Sequence, residues 1–423
     1  MFKRMAGALA LALALPMFGA ACGAKAPLSE VKLSPGSISP NADGVDDVAR
    51  FSYRVSQPVN ISIYLTDAAG KRYDLRANEA RTPSPQPYEF LFSGVSGGKL
   101  LPDGDYIWHV QANTAETASG KLQIKDGQKT FPKIQDFTTD TTVITPNRDG
   151  INDRMAINVY LTQKARLDVY VMGANGFRYD VPRKEGDLLI QPTGDELAAG
   201  RYNYDYDGGI DLGADPPPDG AYTLVAEAQD RIGQRDLLTK SITIKEGGRP
   251  AAEIVIQPNG SGVEWSGIKF QPFQTLPLGG AVYFTMTVRN SGLVPIRTAG
   301  PFMDTPQGNE CYTMDQNRYT KGFIEEPGVW RVGVDWETNT GTDHPWRWGL
   351  GSLADLDQVK SPNGDTLYYL APGKQVLVRG CVILNKMQPR NPFTVWASLI
   401  QEQVEIAAIN NRVTPFSAQL IKP

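Results

Sequence analysis

Ile38-Ser-Pro-Asn-Ala-Asp-Gly-Val-Asp-Asp47 recurs 106 residues later as Ile144-Thr-Pro-Asn-Arg-Asp-Gly-Ile-Asn-Asp153. The offset holds without a gap through Tyr64 and Tyr170, Gly70 and Gly176, and the tripeptides Arg72-Tyr73-Asp74 and Arg178-Tyr179-Asp180. Further on, Pro102-Asp103-Gly104-Asp105-Tyr106 returns as Pro218-Asp219-Gly220-Ala221-Tyr222 at an offset of 116. Extra residues in the second copy therefore belong in a surface connection, where insertions are tolerated. A self-similarity of this length means two modules built alike.

Within each copy the hydrophobic period is two. Val59, Ile61, Ile63 and Leu65 alternate with Asn60, Ser62, Tyr64 and Thr66, and Leu167, Val169 and Val171 alternate with Asp168, Tyr170 and Met172. Such alternation is the mark of a half-buried strand. The same reasoning predicts strands at Ala49 to Val55, Asp105 to Ala112, Lys121 to Lys125, Met155 to Leu161, Ala221 to Ala228 and Thr239 to Lys245. Asp-Gly pairs at 43, 103, 149 and 219 and Ala-Gly or Asn-Gly at 69 and 175 supply the turns between them. Short strands at this spacing, about 100 residues per unit, point to antiparallel sandwiches.

The run from Ser39 to Asp47, the paired-strand segment ending at Ala69-Gly70, and Pro102 to Tyr106 together resemble the Ig-like repeat of the bacterial flagellar hook-capping protein. The resemblance covers residues 30 to 247 in two copies. It implies a fold and a habit, stacked modules that space, assemble or adhere, and it does not extend to flagellar assembly. The expected architecture is all-β: three tandem β-sandwich domains after a signal peptide. The expected bounds are 1–21 for the signal, 28–127 and 137–247 for the Ig-like repeats, and 251–423 for a larger C-terminal β-sandwich beyond the linker Glu246 to Pro250.

Lys3 and Arg4, the apolar stretch Met5 to Phe18 and the small residues Gly19, Ala20 and Ala21 before Cys22 have the layout of an export signal. Gly19-Ala20-Ala21-Cys22 resembles the lipobox of bacterial lipoproteins, with Gly in place of the usual first Leu, and implies that Cys22 is acylated. Cleavage by an ordinary signal peptidase after Ala21 or Ala24 is the alternative. Of the three cysteines, Cys311 and Cys381 remain to pair with each other in an oxidising compartment. Loss of Lys3 and Arg4 leaves 40 basic against 46 acidic residues, a net charge of about −6. No basic stripe is available to neutralise phosphates, which excludes nucleic acid as a partner. The expected product is exported and anchored to a membrane through its lipid, on the cell surface or in the periplasm.

Two groups of residues are candidate sites. Asn41, Asp43 and Asp47, with Asn147, Asp149 and Asp153 in the second copy, gather oxygen donors in tight turns also holding Asp46 and Asn152, and could coordinate calcium. The other reading is that these side chains hydrogen-bond their own backbone while Gly44 and Gly150 adopt positive φ. In the C-terminal third, Trp330, Trp336, Trp346 and Trp348 fall within nineteen residues, beside Tyr312, Tyr319 and Phe323. Aromatic faces stack on sugar rings or anchor protein interfaces. The other reading gives them to a small core of their own in an insertion running from about 300 to 365.

The C-terminal third also reads as strands, at Gly280 to Asn290, Lys374 to Ile383 and Thr394 to Ile406. Its Val-Arg-Asn-Ser-Gly run at 288 to 292 and Leu-Ala-Pro-Gly run at 370 to 373 resemble landmarks of CARDB-type adhesion modules. Only two histidines occur, His109, expected to be structural or solvated in a strand, and His344, expected in a loop, so sites built on several histidines are disfavoured. The chain lacks a Gly-x-Ser-x-Gly elbow, a phosphate-binding loop with lysine, Cys-x-x-Cys and His-Glu-x-x-His. The reading is a non-catalytic envelope lipoprotein that scaffolds or assembles, with a cell-envelope protein or glycan as partner. Its alternative is an adhesin or carbohydrate-binding protein that uses the tryptophans, and apart from calcium no cofactor is expected.

Overall fold

The computed structural model describes residues 26–422, except 114, 191–193, 266–272, 316–325 and 362. Cys22, the segment expected to be an export signal, Tyr319 and Phe323 lie outside the described residues. One compact unit comprises the described part of Met1–Phe131 with Gln229–Arg235, and the other comprises Pro132–Ala228 with Asp236–Pro423. Nearly every element is a β-strand, and the one α-helix among the described residues, Pro306–Asn309, is a single turn.

In the first unit a three-stranded sheet runs in the order Leu28–Ser34, Ala49–Val55, Tyr88–Phe92. It faces a five-stranded sheet ordered Ser37–Ile38, Ala115–Ile124, Gly104–Ala112, Val59–Thr66, Arg72–Arg81. Period-two alternation does the folding: Phe51, Tyr53, Ile61, Ile63 and Leu65 all point inward and meet Trp108, Val110 and Leu122. The edge strand Arg72–Arg81 carries arginines that lie over aromatic rings, Arg72 over Tyr64 at 3.7 Å and Arg76 over Phe90 at 4.6 Å. Charge on an edge blocks further strand addition, and the stacking adds cation–π attraction.

The second unit begins with the same sandwich and a separate core of its own. Its sheets are ordered Ile134–Thr139, Met155–Leu161, Gly200–Tyr206, Arg183–Glu185, Leu188–Ile190 and Val143–Ile144, Arg235–Ile244, Gly220–Gln229, Arg166–Gly173, Arg178–Asp180. Details repeat along with the strands. Arg178 lies over Tyr170 at 4.0 Å. The Pro-Asp-Gly-x-Tyr motif folds back on itself in both copies, Tyr106 donating to the Pro102 carbonyl at 2.7 Å and Tyr222 to the Pro218 carbonyl at 2.6 Å. Its aspartate receives the exit segment: Asp103 accepts from the Gly127 N–H, and Asp219 from Glu246 and Gly247. The predicted strands thus stand, several of them longer than expected; the one read at Lys121 to Lys125 begins at Ala115.

Residues 252 to 420 form a third core in the same unit. One sheet is ordered Ala252–Ile254, Gly280–Asn290, Gln375–Leu384, Tyr312–Thr313. The other is ordered Phe273–Pro277, Val413–Ile421, Phe393–Gln401, Trp330–Trp336, Ile296–Thr298, Thr366–Leu370, Asp357–Lys360. The strand read as Thr394 to Ile406 stops at Gln401, where a hydrogen-bonded turn to Val404 and Glu405 begins. Asn290 is fully buried; its amide donates to the Val294 and Leu370 carbonyls, and its backbone exchanges bonds with Gly373 and Lys374. That single side chain ties together the Val-Arg-Asn-Ser-Gly and Leu-Ala-Pro-Gly runs. Cys311 and Cys381 are disulfide-bonded across a sequence separation of 70.

Candidate functional site

Three of the four tryptophans are withdrawn from the surface. Trp330, Trp346 and Trp348 are 4%, 1% and 0% exposed. Trp346–Gly349 pairs with Trp330–Trp336 so that Trp346 faces Val334 and Trp348 faces Val332, and both rings enter the core, Trp348 edge-on to Phe284 and Tyr312. Trp336 is half-buried, stacked on Trp346 at 4.5 Å, with its indole N–H on Gln388. The expectation of a separate small core fails as well: Phe302, Tyr312, Leu350 and Leu356 join the same cluster as Val282 and Leu399. Large apolar rings placed two apart on a strand gain most by facing the shared interior.

The Asn-x-Asp-Gly turns are where the two copies part company. In the first, the Asp47 carboxylate accepts the N–H groups of Asn41, Ala42 and Gly44 at 2.9, 2.8 and 2.7 Å. Asn41 and Asp43 accept from Asp43 and Val45. In the second, Asp153 accepts from Asn147, Asp149 and Gly150 at 3.2, 3.3 and 2.6 Å, with Asn147 and Asp149 accepting from Asp149 and Ile151. The donors proposed for calcium are thus gathered, but around converging backbone N–H groups. Such a nest attracts an anion, and here its own aspartate fills it.

The surroundings differ. Asp43, Gly44 and Asp46 are exposed and Val45 is 65% exposed, whereas Asn147 and Asp149 are buried. What buries them is the C-terminal domain of the same unit. Tyr369 donates to Asp149 at 2.8 Å and Gln401 to the Arg148 carbonyl at 2.9 Å. The backbones interlock: a Cβ on Gly150 would fall 2.2 Å from the Pro327 carbonyl oxygen, and one on Gly328 would fall 2.3 Å from that of Arg148. Arg297 donates to the same Pro327 carbonyl at 2.9 Å. At Gly44 nothing lies within 4 Å.

Electrostatics follow the surroundings. Burial pushes the Asp47 carboxyl up, but its three N–H donors outweigh burial and hold it below the usual carboxylate range. For Asp153 burial dominates, the neighbouring Asp149 charge adds to it, and the carboxyl is pushed up to about 6 despite three N–H donors of its own. Burial raises Asp149 too, against the pull of Tyr369. Beside this seam lies a cavity of about 400 Å³ whose lining includes Arg148, Asp153, Arg154, Asp207, Asp211 and Glu405. Its arginines already face carboxylates: Arg154 meets Asp205 at 2.8 Å and also Asp211, and Arg148 meets Asp211 at 3.2 Å. Chemically the arrangement fixes one domain on another. Sequence reasoning found the turn and missed its partners Tyr369, Gln401 and Gly328, because nothing in one dimension couples positions 149 and 369. His109 stacks on Tyr64 and meets Thr66 Oγ1 at 3.0 Å; His344, read as a loop residue, is 4% exposed.

No family model matches the chain, and no curated protein matches it. A solved tetra-tandem repeat from the extending region of a large adhesion protein aligns over 92% of this chain and 73% of its own, at 12% identity and a TM-score of 0.18. The native form of the E. coli alpha-2-macroglobulin aligns over 93% of this chain and 23% of its own, at 10% identity and a TM-score of 0.19. Likenesses this slight assign no function.

Proposed function

We propose that this chain is an exported, non-catalytic scaffold of the bacterial cell envelope, tethered through an acylated Cys22 and presenting its C-terminal β-domain to an envelope partner. The observation that carries this reading is the seam at Asp149. A turn left in solvent in the first repeat is used in the second to fix the next domain, through two hydrogen bonds and a pair of interlocked glycines. A joint held by side-chain hydrogen bonds and with its backbones in contact resists hinge motion, unlike the loosely packed interfaces that permit it. Such stiffness suits a part that positions something. The Cys311–Cys381 bond supports a place outside the cytoplasm, and the net negative charge supports a protein or glycan partner over a phosphate backbone. Within this reading residues 28–127 and 137–247 are repeats akin to that of the hook-capping protein, and residues 251–423 are akin to CARDB-type modules.

The test is expression of the full chain in a bacterial host fed an alkyne palmitate. Wild type is expected in the membrane fraction, labelled, with Cys311 and Cys381 resistant to alkylation until reduced, and Cys22→Ala is expected unlabelled. Photo-crosslinkers on the exposed C-terminal residues Leu293 and Leu377 should then capture an envelope component. An unlabelled chain in the cytoplasm with both thiols free refutes the reading.

A further inference from the structure

The strand Trp330–Trp336 turns Val332 and Val334 into the core and Asp335 to the opposite face, where it is 5% exposed. The loop over residues 337–345 folds back across that face. Asp335 pins it: Oδ2 accepts the His344 N–H at 3.0 Å, and Oδ1 accepts from the Trp336 N–H and the Asn339 amide. The pinning sets His344 Nδ1 4.0 Å from Asp335 Oδ2 and 2.9 Å from Asp343 Oδ2. Nδ1 nevertheless makes no hydrogen bond, so the Asp343 oxygen sits off the axis of the ring nitrogen. One ligand atom from each of the three residues falls within 4.8 Å of the others.

That geometry is poor for a hydrogen bond and good for a shared ion. With metal–ligand bonds of about 2.1 Å, ligand atoms are roughly 3.4 Å apart at the tetrahedral angle, roughly 3.0 Å at right angles and roughly 4.2 Å when opposed, so separations of 2.9 and 4.0 Å suit a five- or six-coordinate shell completed by water. A ligand at right angles also lies about 45° off the axis of the ring nitrogen, which is why it fails as a hydrogen-bond acceptor there. We propose that Asp335, Asp343 and His344 bind a first-row divalent cation of the zinc class, which clips the 337–345 loop to the strand beneath it. One imidazole and two carboxylates match that class in donor type, and the two negative charges neutralise it. The Asp343 side chain, 71% exposed, leaves an entry path and room for water on the ion.

The far side of the ring supports the tautomer this requires. Metal on Nδ1 places the proton on Nε2, which donates to Ser398 Oγ at 2.9 Å, while Ser398 meets Asn411 Oδ1 at 3.3 Å and accepts the Arg412 N–H at 3.0 Å. Trp396 Nε1, at 3.3 Å from Nε2, can only donate, so loading gives up that longer contact. Of the cations against this loop, Arg347 is held by Glu402 at 3.0 Å and Arg390 by Glu337. Ser398, His344 and Asp343 also have the order of a nucleophile relay, but Ser398 is fully buried and its oxygen is already engaged. A substrate has no approach to it.

The test uses the full mature chain without a histidine tag. Because only two histidines exist, selective ¹³C labelling of histidine gives two imidazole signals. One equivalent of zinc is expected to shift the His344 signal and leave His109 unmoved, and to raise the thermal midpoint. Asp343→Asn, altered at an exposed side chain and therefore folded, is expected to bind zinc about tenfold or more weakly. Cobalt in place of zinc should give visible d–d absorption in wild type alone. Zinc that moves neither signal, or that binds Asp343→Asn as tightly as wild type, overturns the proposal.

Discussion

Replacing Gly44 and Gly150 by alanine, one at a time, isolates the contribution of the seam. Both glycines have positive φ, 89° and 84°, so each substitution carries the same left-handed strain of about 1–2 kcal/mol. At Gly44 the cost ends there, because nothing lies within 4 Å of the new methyl group. At Gly150 the methyl group would sit 2.2 Å from the Pro327 oxygen. Ordinary contact needs about 3.4 Å, so the two backbones must part by roughly 1 Å. The Tyr369–Asp149 bond at 2.8 Å and the Gln401–Arg148 bond at 2.9 Å then pass out of hydrogen-bonding range. A bond to a charged acceptor contributes about 1.5–3 kcal/mol and a neutral one about 0.5–1.5 kcal/mol. Gly150→Ala is therefore expected to cost about 2–4.5 kcal/mol more than Gly44→Ala. Urea unfolding followed by tryptophan emission suits the comparison, since six of the seven tryptophans lie at or beyond Trp265 and Trp108 alone reports on the first repeat. Equal costs for the two alanines, within about 0.5 kcal/mol, would refute the interlock.

The paired aspartates should titrate in opposite directions. Asp153, raised to about 6, binds its proton more tightly in the folded chain than in the unfolded one, so its contribution to stability declines as pH rises from ~4 to ~6. Asp47, lowered, contributes stability that is present above ~4 and lost as pH falls through its folded value; carboxyl carbon NMR that finds one shared midpoint contradicts this. Opening the 70-residue loop closed by Cys311 and Cys381, through Cys→Ala at both positions, is expected to destabilise the C-terminal domain by up to ~4 kcal/mol, read as a lower thermal midpoint that added reductant reproduces only in wild type. Tyr106→Phe and Tyr222→Phe each remove one hydroxyl bond to a proline carbonyl and should each cost about 1 kcal/mol in urea unfolding, with a null effect in both copies arguing against the shared corner.

The fold was legible wherever the physics is local or repeated. Alternation at Val59–Thr66, glycine at the left-handed turn positions and the duplicated Pro-Asp-Gly-x-Tyr corner each act within a few residues, and the structure places them where the spacing predicts. The site was legible only by half. Asn147, Asp149 and Asp153 announce a tight turn, yet the same letters in the first repeat give a solvated turn, and the difference arises entirely from Tyr369, Gln401 and Gly328. The tryptophans misled because a dense aromatic run reads alike whether its strand turns those rings inward or outward. Trp346 and Trp348 become core residues through pairing with Val334 and Val332, a register that the sequence does not print. His344 was passed over because a lone histidine before proline gives no sign that Asp335, nine residues earlier, folds back to hold it.

Asn290 has a consequence for how the C-terminal domain finds a single structure. Gly280–Asn290 and Gln375–Leu384 are long, antiparallel and dense in β-branched residues, and apolar contact alone discriminates poorly between neighbouring alignments of such strands. A slip by one residue exchanges the two faces, but a slip by two keeps Val288 and Val376 inside and changes little in buried area. After a slip by two the buried Asn290 amide would face away from the Leu370 carbonyl, and leaving it short of that acceptor costs about 1–3 kcal/mol. One polar side chain thus works as a locating peg, and the stability it withholds from the wrong alignments exceeds what it adds to the right one.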